Sequence, residues 1–184
     1  MPSGAQDLAN DVLYDTAVLY VDIGGTSTPI GASRGGLTFS PGREFRTIEY
    51  DGLTSPGIGT TRMVGTSPQI TGTFIELSEN MVGVLEPGVT DTFQAATKRF
   101  TPKSARLIFA DADHVAYARL VYQRANGGTY AYVLPRAICT TYEHTGQDKN
   151  ESGVAITLMG VRTSVQGDDL IPYYIEMTGS DVTS

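Results

Sequence analysis

Between Ile30 and Leu77 the sequence sets strand-like runs at either end of a segment that has no hydrophobic period, and few compact folds accommodate that arrangement. Gly31 and then Gly35-Gly36 mark a turn, and the short extended run Leu37-Thr38-Phe39 breaks at Pro41-Gly42. An alternating strand from Glu44 to Tyr50 follows and stops at Asp51-Gly52. It places Glu44, Arg46, Ile48 and Tyr50 on one face and Phe45, Thr47 and Glu49 on the other. Neither face is cleanly apolar, which fits a strand with water or a neighbour on one side. From Leu53 to Ser67 the chain is dense in Gly, Ser, Thr and Pro; Gln69 to Leu77 is then strand-like again, with either Ile70/Phe74 or Ile75/Leu77 as its core face. An unpatterned loop of that length inside a compact domain is usually either functional or disordered. It reads as an arm that finds its partners on another chain.

The rest of the chain has the same short-strand character. Ala17–Ile23 predicts a strand ending in the turn Asp22-Ile23-Gly24-Gly25-Thr26. Ser78–Leu85 opens on a good N-cap with an acidic first turn and stops before Pro87-Gly88, which predicts a short helix. Residues 89–104 are mixed, Ala105–Ala110 predicts a strand, and Asp111-Ala112-Asp113 a turn. The strongest hairpin signal pairs Val115–Arg124 with Thr129–Leu134 across Asn126-Gly127-Gly128. Ile138–Tyr142 and Val154–Val161 predict a second hairpin around the polar loop EHTGQDKNES. The tail from Gly167 is acidic and then carries the apolar patch Ile171-Pro172-Tyr173-Tyr174-Ile175. Eight or nine strands with one or two short helices make the expected class mainly β.

At 184 residues the chain is sized for one domain that buries roughly two-thirds or more of its unfolded surface. Residues 1–14 read as an arm, 15–178 as the domain, with the long loop at about 53–67, and 179–184 as a tail. The 20 acidic residues outnumber the 13 basic ones, for a net charge of −7, whereas a protein that grips nucleic acid by its phosphates needs a basic face. A wall past which DNA slides without sticking would want that bias, although mild acidity is also common among soluble proteins. Cys139 is the single cysteine, which excludes an internal disulfide and a Cys-based metal site. With no membrane-length apolar run and no basic flank or apolar core in MPSGAQDLAND, the expectation is a soluble protein without a standard export signal. Three lysines against ten arginines suit packed interfaces.

Four constellations bear on chemistry. VDIGGTS (Val21–Ser27) resembles the first phosphate motif of sugar kinases in the actin-like superfamily, where the glycines let backbone approach phosphate. Such kinases need two α/β domains and a second phosphate loop, and a glycine-rich turn ending a strand is the favoured account. Asp111, Asp113 and His114 are metal-ligand types, but D-x-D-H between strands is more often turn chemistry in which Asp bonds its own backbone. Cys139 with His114 or His144 lacks a third group to orient the base, so the cysteine reads as a small core residue. Gly57-Ile58-Gly59 lacks the third glycine, the preceding strand and the following helix of a dinucleotide site. No cofactor or metal is expected.

The order G-A-S-R-G-G-x-x-F (Gly31–Gly36, Phe39), I-E-x-D-G (Ile48-Glu49, Asp51-Gly52), a glycine-rich loop (Gly57, Gly59) and a β-run ending Ile75-Glu76-Leu77 resembles the tail tube proteins of tailed bacteriophages. The match covers the central quarter of the chain well and the remainder in element order. One position departs: Ile58 stands where the family often carries lysine, and Arg62 is the nearest cation. The resemblance implies a β-sandwich or partial barrel of two packed antiparallel sheets with a short flanking helix and a long inter-strand loop. Six copies would join sheets edge to edge into a ring, and rings would stack into a tube that conducts DNA and catalyses nothing. The loop residues Leu53, Thr54, Gly57, Ile58, Gly59, Arg62 and Met63 would make the assembly contacts, and Thr47, Glu49, Asp51 and Glu76 would face the lumen, with an ordinary solvated strand face as the alternative for the three acids. Implied partners are copies of the chain, a tape measure protein, tail terminator and baseplate or distal tail proteins, and DNA passing without specific binding. The location would be the virion, after assembly in the host cytoplasm, with no membrane insertion. A ring protein of the type VI secretion tube would share the fold, and a head–tail joining or tail terminator protein would form one ring and no filament.

Overall fold

The computed structural model describes residues 13–48, 60–77, 81–86, 89–94, 97–102, 110, 113–125, 127–146, 152–162 and 171–179. The chain is mainly β, as its short alternating runs predict. Thirteen strands and one helical turn are formed among these residues. They make two larger antiparallel sheets and two ribbons.

The first sheet grows around the hairpin of β9 (Ala118–Arg124) and β10 (Thr129–Leu134), which lies where Gly127-Gly128 predicts it. The Arg124 amide donates to the Gly128 carbonyl at 2.9 Å and Gly127 donates back to Arg124 at 3.1 Å. β1 (Leu13–Ile23) adds to the free side of β9, β2 (Thr26–Pro29) folds back on β1, and β13 (Tyr174–Thr178) completes the other edge against β10. The register sets Leu19 opposite Leu120 and Val21 opposite Ala118, so all four point to one face and all are buried. A slip of one residue would turn that whole row outward.

The second sheet runs β11-β12-β6-β3, with β3 at Ser33–Ser40, β6 at Gln69–Phe74, β11 at Ala137–Thr145 and β12 at Gly153–Gly160. Pairing aligns Phe39, Ile70, Leu158 and Cys139 in one row across its inner face. Ile70, Leu158 and Cys139, with Leu37, Phe74 and Ile156, meet Leu19, Val21, Leu120 and Leu134 of the first sheet in one buried cluster, and the half-buried Phe39 packs against it. The helical turn α1 (Val82–Leu85) adds Met81 and Leu85 to that cluster. One flank is closed by aromatic rings. Phe39 stacks on Tyr132 with centroids 4.1 Å apart, Tyr173 tilts onto Phe39, and the Tyr122 hydroxyl donates to the Leu37 carbonyl at 3.2 Å.

Several elements differ from the sequence reading. The stretch Leu53–Ser67 is not loop throughout: Thr61–Thr66 forms β5, which pairs with β4 (Arg43–Thr47) as a two-stranded ribbon. Its threonines and Val64 favour extended backbone, but with no buried face the segment carries no apolar alternation to be read. Residues 89–104 hold a second ribbon, β7 (Val89–Gln94) with β8 (Thr97–Pro102). Gly35-Gly36 is not a turn but lies inside β3, at a register shift against β6. β1 begins at Leu13, ahead of the expected start at Ala17, and β11 runs on to Thr145 into the expected polar loop. In β6 the ambiguity of phase is resolved, since Ile70 and Phe74 are fully buried and Ile75 is exposed. The expected N-cap at Ser78 and strand over 105–109 lie outside the described residues.

Candidate assembly surface

The ribbon is anchored at its base. Ser67 donates its amide to the Gly42 carbonyl at 3.0 Å, and the Thr66 hydroxyl donates to the Pro41 carbonyl at 2.7 Å. Arg43 Nη2 donates to the Tyr173 hydroxyl at 2.9 Å, which ties the start of β4 to the aromatic flank. Beyond that anchor the ribbon has two different faces. Phe45 lies opposite Met63, and the Thr47 and Thr61 hydroxyls stand 3.5 Å apart on the same side. Arg46 lies opposite Arg62 on the other side, beside Ile48. Phe45 is 60% exposed, Met63 44% and Val64 50%. Single exposed apolar residues are ordinary, but a cluster of large ones on one small ribbon marks an interaction surface.

Of the residues assigned to the assembly loop, the ribbon carries Arg62 and Met63; Leu53, Thr54, Gly57, Ile58 and Gly59 lie outside the described residues. Of the lumen candidates, Thr47 is on the ribbon, Glu76 is exposed just past the end of β6, and Glu49 and Asp51 lie outside the described residues. Glu76 is therefore not on the element that carries Thr47. Sequence reasoning did not single out Phe45 and Val64; the signal for Phe45 was the mixed faces of the 44–50 run, whereas Val64 lies in a stretch without apolar alternation.

The outer face of the first sheet carries a row the sequence did not announce, part of it covered, since Val133 and Ala131 on this face are fully buried. Tyr20, Arg119, Val133 and Tyr174 form one row across β1, β9, β10 and β13, and Glu176 follows Tyr174 two positions on. Arg119 Nη2 pairs with Glu176 Oε2 at 3.1 Å. Burial, then a hydrogen bond with Tyr174, pushes the Tyr117 hydroxyl up to about 12. Edge strands β2 and β13 of this sheet, and β3 and β11 of the other, have no further strand beside them among the described residues. β13 leaves Ile175 and Met177 exposed at the end of inward-facing rows. Open edges of this kind have to be covered or paired.

The chemical candidates resolve into local structure. Gly24 (φ +60) and Gly25 (φ +86) form the two-residue turn between β1 and β2, a conformation that glycine adopts without cost, and Asp22 Oδ1 accepts from the Gly25 amide at 2.6 Å. The acid of VDIGGTS is thus engaged with its own turn. Asp113 Oδ2 accepts from the Ala110 amide at 2.7 Å, and His114 Nδ1 lies 3.0 Å from the Ala110 carbonyl. No group of three metal-ligating side chains occurs among the described residues, and none of their helices is long and apolar enough to cross a membrane. Cys139 is buried in β11 with its thiol donating to the Thr141 carbonyl at 3.1 Å, while His144, also on β11, packs edge-on against Tyr142. Burial pushes the Cys139 thiol up to about 11 from 9.0. At pH 8 this leaves about a hundredfold less thiolate than an unburied cysteine carries. Native protein is therefore expected to react with a thiol reagent at least about a hundredfold more slowly than urea-unfolded protein; equal rates would place the thiol at the surface.

Fold and surface together define a mainly β, two-sheet arrangement with strand edges left without a further strand among the described residues, and an anchored, two-faced ribbon. No family model matches the chain, and no curated protein matches it. Among solved structures, the chain is similar to one from the tail of an empty GTA particle, computed with helical refinement in C6 symmetry. The likeness covers 79% of this chain and 91% of that one, at a TM-score of 0.37 and 11% sequence identity.

Proposed function

We propose that the chain is a structural subunit of a phage-like tail, which closes hexameric rings with copies of itself and stacks them into a tube for DNA delivery. The observation that carries this reading is the β4–β5 ribbon, whose Phe45, Met63 and Val64 its own chain leaves exposed. Sheet edges that have no further strand beside them among the described residues, and the tail-tube-like order of residues 31–77, support it. Ring closure pairs such edges, and a heterologous contact between rings propagates a tube. On this reading Arg62 and Met63 belong to the assembly contacts, with Leu53, Thr54, Gly57, Ile58 and Gly59. Thr47, Glu49, Asp51 and Glu76 remain the proposed lumen residues. The role is structural rather than catalytic, without cofactor. The partners are a tape measure protein, terminator and baseplate or distal tail proteins, and the assembled protein resides in the virion.

Negative-stain microscopy and sedimentation of the purified chain test this directly. Wild type is expected to give rings or tubes, and Phe45→Glu with Met63→Glu to give monomers with an unchanged circular dichroism spectrum. Single rings that never stack would point to a joining or terminator ring instead. A wild-type chain that stays monomeric at every concentration, or a double variant that polymerises normally, would overturn the proposal.

A further inference from the structure

The other face of the same ribbon presents a different problem. Arg46 and Arg62 are directly opposed in the β4–β5 register, on strands whose facing Cα atoms lie about 4.5–5.5 Å apart. Like charges set opposite each other destabilise an antiparallel pair, and a lone two-stranded ribbon is marginal in water to begin with. Neither arginine has a hydrogen-bonding or ion-pairing partner among the described residues, although the chain has 20 carboxylate side chains to offer. Both line an open groove of about 570 Å³, together with Thr47, Ile48 and Val64.

We infer that this arginine pair is a carboxylate-binding surface whose occupant is an acidic segment of a second copy of the chain; the inference rests on the assembly reading above. Guanidinium forks match carboxylates with two parallel hydrogen bonds each. Two opposed forks become favourable neighbours once anionic oxygens lie between them. The net charge of −7 means every further copy arrives with surplus carboxylates. The groove walls favour a protein segment over a phosphate backbone, because exposed Ile48 and Val64 flank the arginines where a nucleic-acid site would place more cations. The ribbon then works on both sides in assembly. Its Phe45/Met63 side supplies apolar area, and its arginine side supplies charge selection, which governs orientation and encounter more than raw affinity.

The test compares wild type with Arg46→Thr/Arg62→Thr and Arg46→Glu/Arg62→Glu by sedimentation velocity at low and high salt. Urea melts of the monomer run alongside. Removing the opposed charges should leave the threonine variant at least as stable as wild type, while the concentration it needs to assemble rises on the order of tenfold. The glutamate variant should stay monomeric yet folded, and high salt should weaken wild-type assembly toward the threonine level. A merely structural pair would instead lower monomer stability and assembly together, and that result overturns the inference. Assembly of the glutamate variant at wild-type concentrations overturns it while leaving the proposed function standing. A wild-type chain that never associates overturns both. Arginine-dependent binding of a duplex oligonucleotide, read by fluorescence anisotropy, would replace the carboxylate partner with phosphate and so also overturn it.

Discussion

Phe74→Ala is expected to destabilise the fold by about 3–5 kcal/mol, the usual range for deleting a buried aromatic ring. Phe74 is fully buried in β6, an interior strand of the second sheet, between Ser33 on β3 and Val154 on β12. Strands on both sides limit how far the backbone can relax into the space left behind. Against a typical domain stability of about 5–15 kcal/mol the loss is large. At this size it corresponds to a melting-temperature drop of roughly 6–20 °C. The neighbouring Ile75→Ala removes a side chain that is 43% exposed and should fall within about 0.5 kcal/mol of wild type. Urea unfolding of the two variants measures both. Similar losses for the pair would mean that β6 presents its other face to the core.

Gly31→Ala is expected to cost about 2–6 kcal/mol, from strain and overlap of about 1–3 kcal/mol each. Gly31 sits at φ +151, just before β3, and a Cβ there would overlap the Glu76 carbonyl oxygen. The two chain segments cannot separate freely, because Ile75 donates its amide to the Ala32 carbonyl at 3.0 Å beside the contact. Gly24→Ala is the control. It has φ +60 but open space around the added methyl, so only the backbone penalty of about 1–2 kcal/mol applies. Chemical denaturation should rank Gly31→Ala well below Gly24→Ala. An equal ranking would show that the approach of residues 31 and 76 gives way easily.

These two positions also show what sequence reading reaches. Phe74 belongs to an alternating run, so its strand was legible, but its phase was not, because Ile75 and Leu77 offer an equally apolar alternative one step out of register. Burial of Ile70 and Phe74 in the cluster shared with the first sheet decides it. The β9–β10 and β11–β12 hairpins were legible because buried strands imprint alternation and Gly127-Gly128 or polar loops punctuate it. β5 was not, since both of its faces meet solvent and selection for burial never patterned it. The β7–β8 ribbon was missed for a related reason. VTDTFQ and TKRFTP scatter charge across their alternation, and Ala95-Ala96 between them carries no turn residue. For the site, the loop's neighbourhood was visible as a break in pattern, whereas the opposition of Arg46 and Arg62 depends on a register that no local rule supplies.

The strand order of the first sheet has a consequence for synthesis on the ribosome. Ala17 pairs with Tyr122, and Tyr130 on the next strand pairs with Met177, so neighbours in space are separated by roughly a hundred and by fifty residues of translation. At about 5–20 residues per second, β1 waits some 5–20 s for β9 to emerge, with Leu19 and Val21 uncovered meanwhile. Closure of the sheet then waits again for β13. Rapid overproduction should therefore divert nascent chains into inclusion bodies, and slower translation at reduced temperature should raise the soluble yield.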